Sequence, residues 1–353
     1  MSRSNQSRHG ATKAPAAPAA TAATAAEVAT AAVAATAAKD PSDRVFSAFV
    51  AAMSAVVILL VIGFVLLLTA DSMQSIRKFG FEFITGSVWN PVNTEINRMD
   101  FGALPFIFGT VVTSVIALLI ATPLALGSAI FVTEYAPSWL GKPVSFIIEL
   151  LVAIPSVAYG IWGLFVLVPL MRDSVEPFLQ DILGQVPVLG ALVDGPPFGQ
   201  DLLTGGVILS IMILPTILSL SKEIIAQVPR LQKEGMLALG ATRWEVLSQA
   251  ILPYAPSGII GAAMLGLARA IGETMAVTMV IGNSSSKISA SLLTPGYTIA
   301  SAIANQFTEA DSPVYFSAIV ELGLVLLLVA SAFNIVSRFL IARLAKKTEA
   351  ADA

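Results

Sequence analysis

Arg269 and Glu273 stand four residues apart inside a run that is otherwise apolar, SGIIGAAMLGLARAIGETMAVTMVI at 257–281. On a continuous helix that spacing sets both side chains on one face. It also places Arg269 about twelve residues, roughly 18 Å of rise, from either end of the run. An arginine is too short to reach an interface from there, and a charge at such depth in a bilayer costs at least about 2.5–3.5 kcal/mol. Something has to offset that cost. A guanidinium directs paired donors at adjacent oxygens, so a tetrahedral oxyanion moving along a central path would do so. Glu273 would then hold Arg269 in place, neutralise it while the site is empty, and accept a hydrogen bond from a protonated oxyanion. The other reading is a structural ion pair between helices. Gly258, Gly261 and Gly266, with Ala262 and Ala263, prepare the run for close packing against a neighbouring helix.

A second segment, EGMLALGATRWEVLSQAILP at 234–253, has the spacing of a docking element. Leu237, Ala238 and Leu239 precede Gly240, and Trp244, Leu247 and Ile251 then recur at helical intervals. Two short helices meeting at Gly240 are expected, because glycine tolerates the backbone of a tight turn. Pro253 would end the second. An apolar face centred on Trp244 and bordered by Arg243 and Glu245 suits a groove on a partner protein. The plainer alternative is an amphipathic helix anchoring the loop at the membrane surface.

Little else in the chain can do chemistry. Cysteine is absent, which removes disulfides, thiolate metal sites and thiol nucleophiles, and the only histidine is His9. Neither a metal nor another cofactor is expected. The nearest approach to a phosphate-cradling loop, Gly282 to Ser286 followed by Lys287, lacks the second glycine of a Walker motif. The chain is therefore not expected to be an enzyme, and energy for any pumping would come from a partner or an ion gradient.

The elements that must position these residues are membrane spans. Of 353 residues, 56% are hydrophobic and only 12% charged, about half the charge content of a soluble domain. A net charge of −3 also argues against nucleic acid as a partner. Six stretches approach the length needed to cross a bilayer: 45–70, 104–132, 144–171, 202–220, 257–281 and 314–340. Pro123, Pro155 and Pro215 fall within them as expected kinks. With both termini inside, fourteen lysines and arginines lie on the inner segments, against Arg77, Lys78, Arg98, Arg172 and Lys287 outside. The positive-inside bias therefore turns both termini to the cytoplasm. The outer loops, 71–103, 172–201 and 282–313, read as compact turns able to present a docking surface. Glu134 and Glu149 fall near span ends and read as interfacial, whereas Glu321 lies deeper and would line either a packed interface or a cavity.

The expected organisation is an Ala/Thr/Pro-rich disordered cytoplasmic tail at 1–43, a six-span domain at 44–345 with its inner loop at 222–253, and a short cytoplasmic tail at 346–353. The apolar run near Val45 is too long for a cleavable signal peptide and reads as the first span.

The 234–253 segment resembles the EAA loop of ABC importer permeases. Glu234, Gly240, Leu252 and Pro253 match at the family's spacing, while Gly235 and Met236 replace the two alanines and Ala250 replaces the isoleucine. The run GLARAIGETMAVTMVIGN at 266–283, with WNPV at 89–92 and FGALPFIFGTVVTS at 101–114, is similar to PstC-type permeases of high-affinity phosphate importers. The resemblance covers about 46–345. It implies an all-α membrane protein of six transmembrane helices with the MetI-like permease fold, cytoplasmic coupling helices and a place in the bacterial inner membrane. It further implies phosphate passage past Arg269 and Glu273, and coupling to an ATPase through Glu234, Gly240, Trp244, Leu252 and Pro253. The implied partners are a homologous PstA-type permease, two PstB-type ATPase subunits and an external PstS-type phosphate-binding protein. The alternatives are the same machine carrying sulfate, molybdate or phosphonate, an ion-coupled transporter acting alone, or a scaffold that senses phosphate without conducting it.

Overall fold

The computed structural model describes residues 41–92, 99–284 and 288–351. The Ala/Thr/Pro-rich segment lies outside them. The described chain divides into two units, 41–64 and 65–351, the division falling within the first helix, α1 (Pro41–Phe79). In the first unit Val45, Phe49, Leu60 and Phe64 are all exposed. A helix apolar on every side belongs in lipid.

The second unit continues α1 and adds a short antiparallel hairpin of β1 (Trp89–Asn90) and β2 (Asp100–Phe101). Ten helices follow. They are α2 (Leu104–Ile130), α3 (Ser138–Val152), α4 (Ser156–Leu183), α5 (Leu202–Ala226), α6 (Arg230–Ala238), α7 (Arg243–Tyr254), α8 (Pro256–Ile271), α9 (Met275–Val280), α10 (Ile299–Gln306) and α11 (Pro313–Ala351). The 346–353 tail expected from sequence is thus largely a continuation of α11.

Helix α5 occupies the centre. Leu209, Ile213 and Ile217 repeat every four residues along it and are fully buried, as are Ala117, Ala121 and Ala125 on the facing stripe of α2. Small residues on one helix admit large ones from the other, so the two backbones approach closely. Asp201 starts α5 by accepting a hydrogen bond from the Thr204 amide at 2.8 Å.

The WNPV and FGALPF segments build a separate aromatic core. Trp89 packs edge-on against Phe101 and Phe106, each with ring centres 4.8 Å apart, and donates its indole N–H to Gln306 Oε1 at 2.6 Å. The Tyr315 hydroxyl donates to the same oxygen at 3.0 Å. This part of the resemblance is therefore structural, tying the hairpin to α10 and α11.

Two expected spans are corrected. The 144–171 stretch is not one helix: α3 ends at Val152, and a new helix starts after Pro155, whose backbone is extended at ψ 140°. The crossing candidate is α4, 28 residues from Ser156 to Leu183, so part of the loop expected at 172–201 is helical. The 257–281 stretch also breaks, at 272–274, between α8 and α9. Among the described residues five helices are long and apolar enough to cross a membrane, or six if α7 and α8, joined at a 70° bend, form one crossing. Glu321 resolves to the packed-interface reading. It is buried in α11 beside Ser75 of α1.

Candidate functional site

The break at 272–274 puts Arg269 in the last turn of α8 instead of mid-helix. The residues before it explain how the helix is seated. A Cβ on Gly266 would lie 2.7 Å from Ile217 Cγ1, and one on Gly258 would lie 2.8 Å from Ile224 Cγ2, so both glycines let α8 approach α5. Gly261, expected to do the same, has nothing within 4 Å and faces away.

Held in this way, Arg269 is half-buried and donates from Nη1 to Thr216 Oγ1 on α5 at 3.2 Å. Its charge also acts on the Tyr159 hydroxyl of α4, which donates to the Leu151 carbonyl of α3 at 3.0 Å. Thr216 directly follows Pro215, whose missing N–H leaves the helical ladder of α5 one bond short at this level. Irregular backbone at membrane depth is tolerated where protein or a watery cavity receives it, and broken helices are a recurrent way of building midplane ion sites.

The expected ion pair does not form. Arg269 has no carboxylate within salt-bridge distance among the described residues, and its hydrogen bond goes to Thr216. Glu273 instead accepts from the Ala276 amide at 3.4 Å, at the start of α9. The break explains this: without a continuous helix between them, four-residue spacing no longer sets the two side chains on one face. Arg269 is left as a cation supported by a hydroxyl, and most of its five donors have no hydrogen-bond partner among the described residues.

The 234–253 segment folds as two helices at a sharp turn. Gly240 has φ +88°, which glycine adopts without the clash a side chain would suffer. α7 is started by a reciprocal cap in which the Glu245 amide donates to Thr242 Oγ1 at 3.3 Å and the Thr242 amide donates to Glu245 Oε2 at 2.7 Å. Pro253 does not end this helix. It continues to Tyr254, and the bend falls at Ala255, ahead of Pro256.

The expected apolar face divides in two. Leu247 and Ile251 turn inward onto Ala129, Ile225 and Val228, whereas Trp244 is 66% and Leu239 90% exposed. Leu231, Met236, Leu239, Pro253 and Tyr254 line a groove of about 470 Å³ between α6 and α7. Glu234 is exposed on α6, and Leu252 is half-buried and packs against the inner cluster. The element therefore presents apolar side chains outward while its inner face is anchored.

Residues 121–350 match the family described as the binding-protein-dependent transport system inner membrane component. The chain belongs to this family. Within it, the "Phosphate transport system permease protein PstC" of Mesorhizobium japonicum is 45% identical over 306 residues, covering 87% of this chain and 92% of the relative. The protein of that name from Xylella fastidiosa (strain Temecula1) is 46% identical, covering 86% and 91%. That from Haemophilus influenzae is 44% identical, covering 85% and 93%. An inward-facing conformation of the MetNI methionine ABC transporter overlays with a TM-score of 0.48 at 15% identity, covering 68% of this chain and 94% of that one, too loosely to bear on function.

As a PstC-family permease, the chain is a multi-pass membrane component. Its charged residue in α8 has companions that sequence spacing did not reveal, Thr216 and Tyr159, which lie 53 and 110 residues away along the chain. Pro215 and Pro155, singled out as kinks, were the local signals for both neighbourhoods.

Proposed function

We propose that this permease forms the membrane path of a phosphate importer, with Arg269 as the cation that phosphate meets on its way to the cytoplasm. The observation that carries the reading is a half-buried guanidinium at a helix break, supported by Thr216 and lacking a carboxylate partner among the described residues. A phosphate dianion would take the free donors in the bidentate geometry that guanidinium favours. Glu273, one residue beyond the glycine of the break, would accept a hydrogen bond from a protonated phosphate oxygen; sulfate, ionised at neutral pH, has no such proton to give.

Phosphate transport named in relatives of about 45% identity over most of the chain supports phosphate as the cargo. Energy would enter through the 234–253 element, where Trp244, Leu239 and the groove below them fit an ATPase surface, Gly240 sets the turn, and Glu234, Leu252 and Pro253 border the contact. The working assembly would be this chain, a second PstA-type permease, two PstB-type ATPases and an external PstS-type phosphate-binding protein, with both termini of this chain cytoplasmic. ATP binding would move the element and open the path outward, and hydrolysis would return it. The test is ATP hydrolysis by the co-expressed complex in liposomes. Stimulation by phosphate-loaded binding protein, and none by sulfate or molybdate, is expected; stimulation by another oxyanion instead would overturn the cargo assignment.

A further inference from the structure

The inner face of the docking element is joined to the membrane helices by one short ion pair. Lys233, on α6, donates from Nζ to Glu134 Oε1 at 2.6 Å. Glu134 lies in the widened turn Phe131–Tyr135 that closes α2, where the hydrogen-bond ladder shifts to the π pattern and re-aims the side chain. The same ammonium reaches the Ile225 carbonyl near the end of α5 at 3.5 Å. One side chain of α6, directly ahead of the 234–253 segment, therefore reaches both the end of α2 and α5.

The pair is sheltered, with side chains 18% and 21% exposed. Fully exposed ion pairs contribute little, but a short charge-assisted bond shielded from water holds its geometry far better. The other ion pair in this region, Lys222 with Glu149, is longer at 3.7 Å and leaves Glu149 64% exposed. Arg230, Arg243 and Glu234 are exposed on the element and have no salt-bridge partner among the described residues. Beneath the pair, Ala129 of α2, Ile225 of α5 and Val246, Leu247 and Ile251 of α7 form one apolar cluster. α5 continues from there to Thr216, the partner of Arg269.

We propose that Lys233 and Glu134 are positioning residues that pass movement of the docking element to α2 and α5, and so to the Arg269 site. The inference rests on the reading of 234–253 as the ATPase contact. The apolar cluster packs the element against the bundle but has no preferred direction, since burial is non-directional. The ion pair adds a fixed length and angle, so displacement of α6 pulls on the end of α2 instead of sliding across it.

The test uses the complete importer in liposomes with Lys233→Met, Glu134→Gln and the exchanged pair Glu134→Lys/Lys233→Glu. Three quantities are read: co-purification of the ATPase, basal ATP hydrolysis, and phosphate moved per ATP consumed. In the single variants the ATPase is expected to remain bound and basal hydrolysis to persist, while phosphate moved per ATP falls roughly five- to tenfold, within the usual range of coupling between sites. The exchanged pair should recover most of that loss. Unchanged phosphate per ATP in both single variants would overturn the proposal, as would loss of coupling that the exchanged pair leaves unrepaired although the complex assembles. Failure of the unsubstituted chain to bind any ATPase would instead refute the underlying reading of the docking element, and the role of the pair with it.

Discussion

Gly266→Ala offers a sharp test of how the Arg269 site is held. The added Cβ would lie 2.7 Å from Ile217 Cγ1 and 2.8 Å from Cδ1, against the 3.4 Å at which ordinary contact begins. Ile217 is fully buried, so rotating it aside would drive it into other packed atoms. The helices must therefore part by about 0.7 Å, the difference between 2.7 and 3.4 Å, or strain locally. Overpacking of this kind costs about 1–3 kcal/mol. Arg269 follows within one turn, so the same displacement carries its 3.2 Å bond to Thr216 past hydrogen-bonding range. Thermal unfolding in detergent and phosphate uptake in liposomes should both decline. Ile217→Ala removes both colliding atoms and costs stability of its own through a cavity. In that background Gly266→Ala should become nearly neutral, giving a favourable coupling of at least about 0.5 kcal/mol in a double-mutant cycle. A Gly266→Ala protein as stable and active as the parent, or additive losses in the pair, would refute this account of the α5–α8 contact.

Two further outcomes follow from the same geometry. Trp244→Ala, on a side chain 66% exposed and facing outward, should weaken ATPase binding by about 2 kcal/mol, as removal of an interface tryptophan does, or about thirtyfold in Kd; binding assays showing parental affinity would remove Trp244 from the contact. Glu176 and Asp201 are both fully buried, with Glu176 Oε1 and Asp201 Oδ2 each lacking a hydrogen-bond donor. Burial holds the Asp201 carboxyl above its ordinary range. A raised folded value means that the folded protein binds the proton more tightly, so this stabilisation is complete at low pH and is lost as pH rises through that value. Glu176 neighbours Asp201, so Glu176→Gln puts a permanent amide donor beside it, and thermal unfolding followed across pH should lose part of its decline with rising pH; an unchanged pH profile would contradict the contact between the two carboxyls.

Much of the architecture was legible because it depends on composition. Runs such as 45–70 and 202–220 are apolar enough that no arrangement but a span suits them, and Gly240 marked the turn between two short helices. What composition does not register is a break in the backbone. The 144–171 run stays apolar through Ala153 and Ile154 up to Pro155, and the Gly272–Thr274 interruption of 257–281 is only three residues long in an otherwise apolar run, so each read as one span. That misreading created the expected pair of Arg269 and Glu273, since the inference of a shared face assumed continuous helix. The outward role of Trp244 was legible, but the inward turn of Leu247 and Ile251 depended on a cluster contributed by α2 and α5. Lys233 and Glu134 are 99 residues apart, and no local pattern announces such a contact.

Radiolabelled phosphate uptake by proteoliposomes carrying the assembled importer, with Arg269→Ala beside the parent chain and Arg269→Lys, tests the central claim most directly. Assembly and basal ATP hydrolysis should be retained in all three, with uptake abolished in Arg269→Ala and reduced in Arg269→Lys, which keeps the charge but loses the fork of donors. Parental uptake by an assembled Arg269→Ala complex would contradict the account.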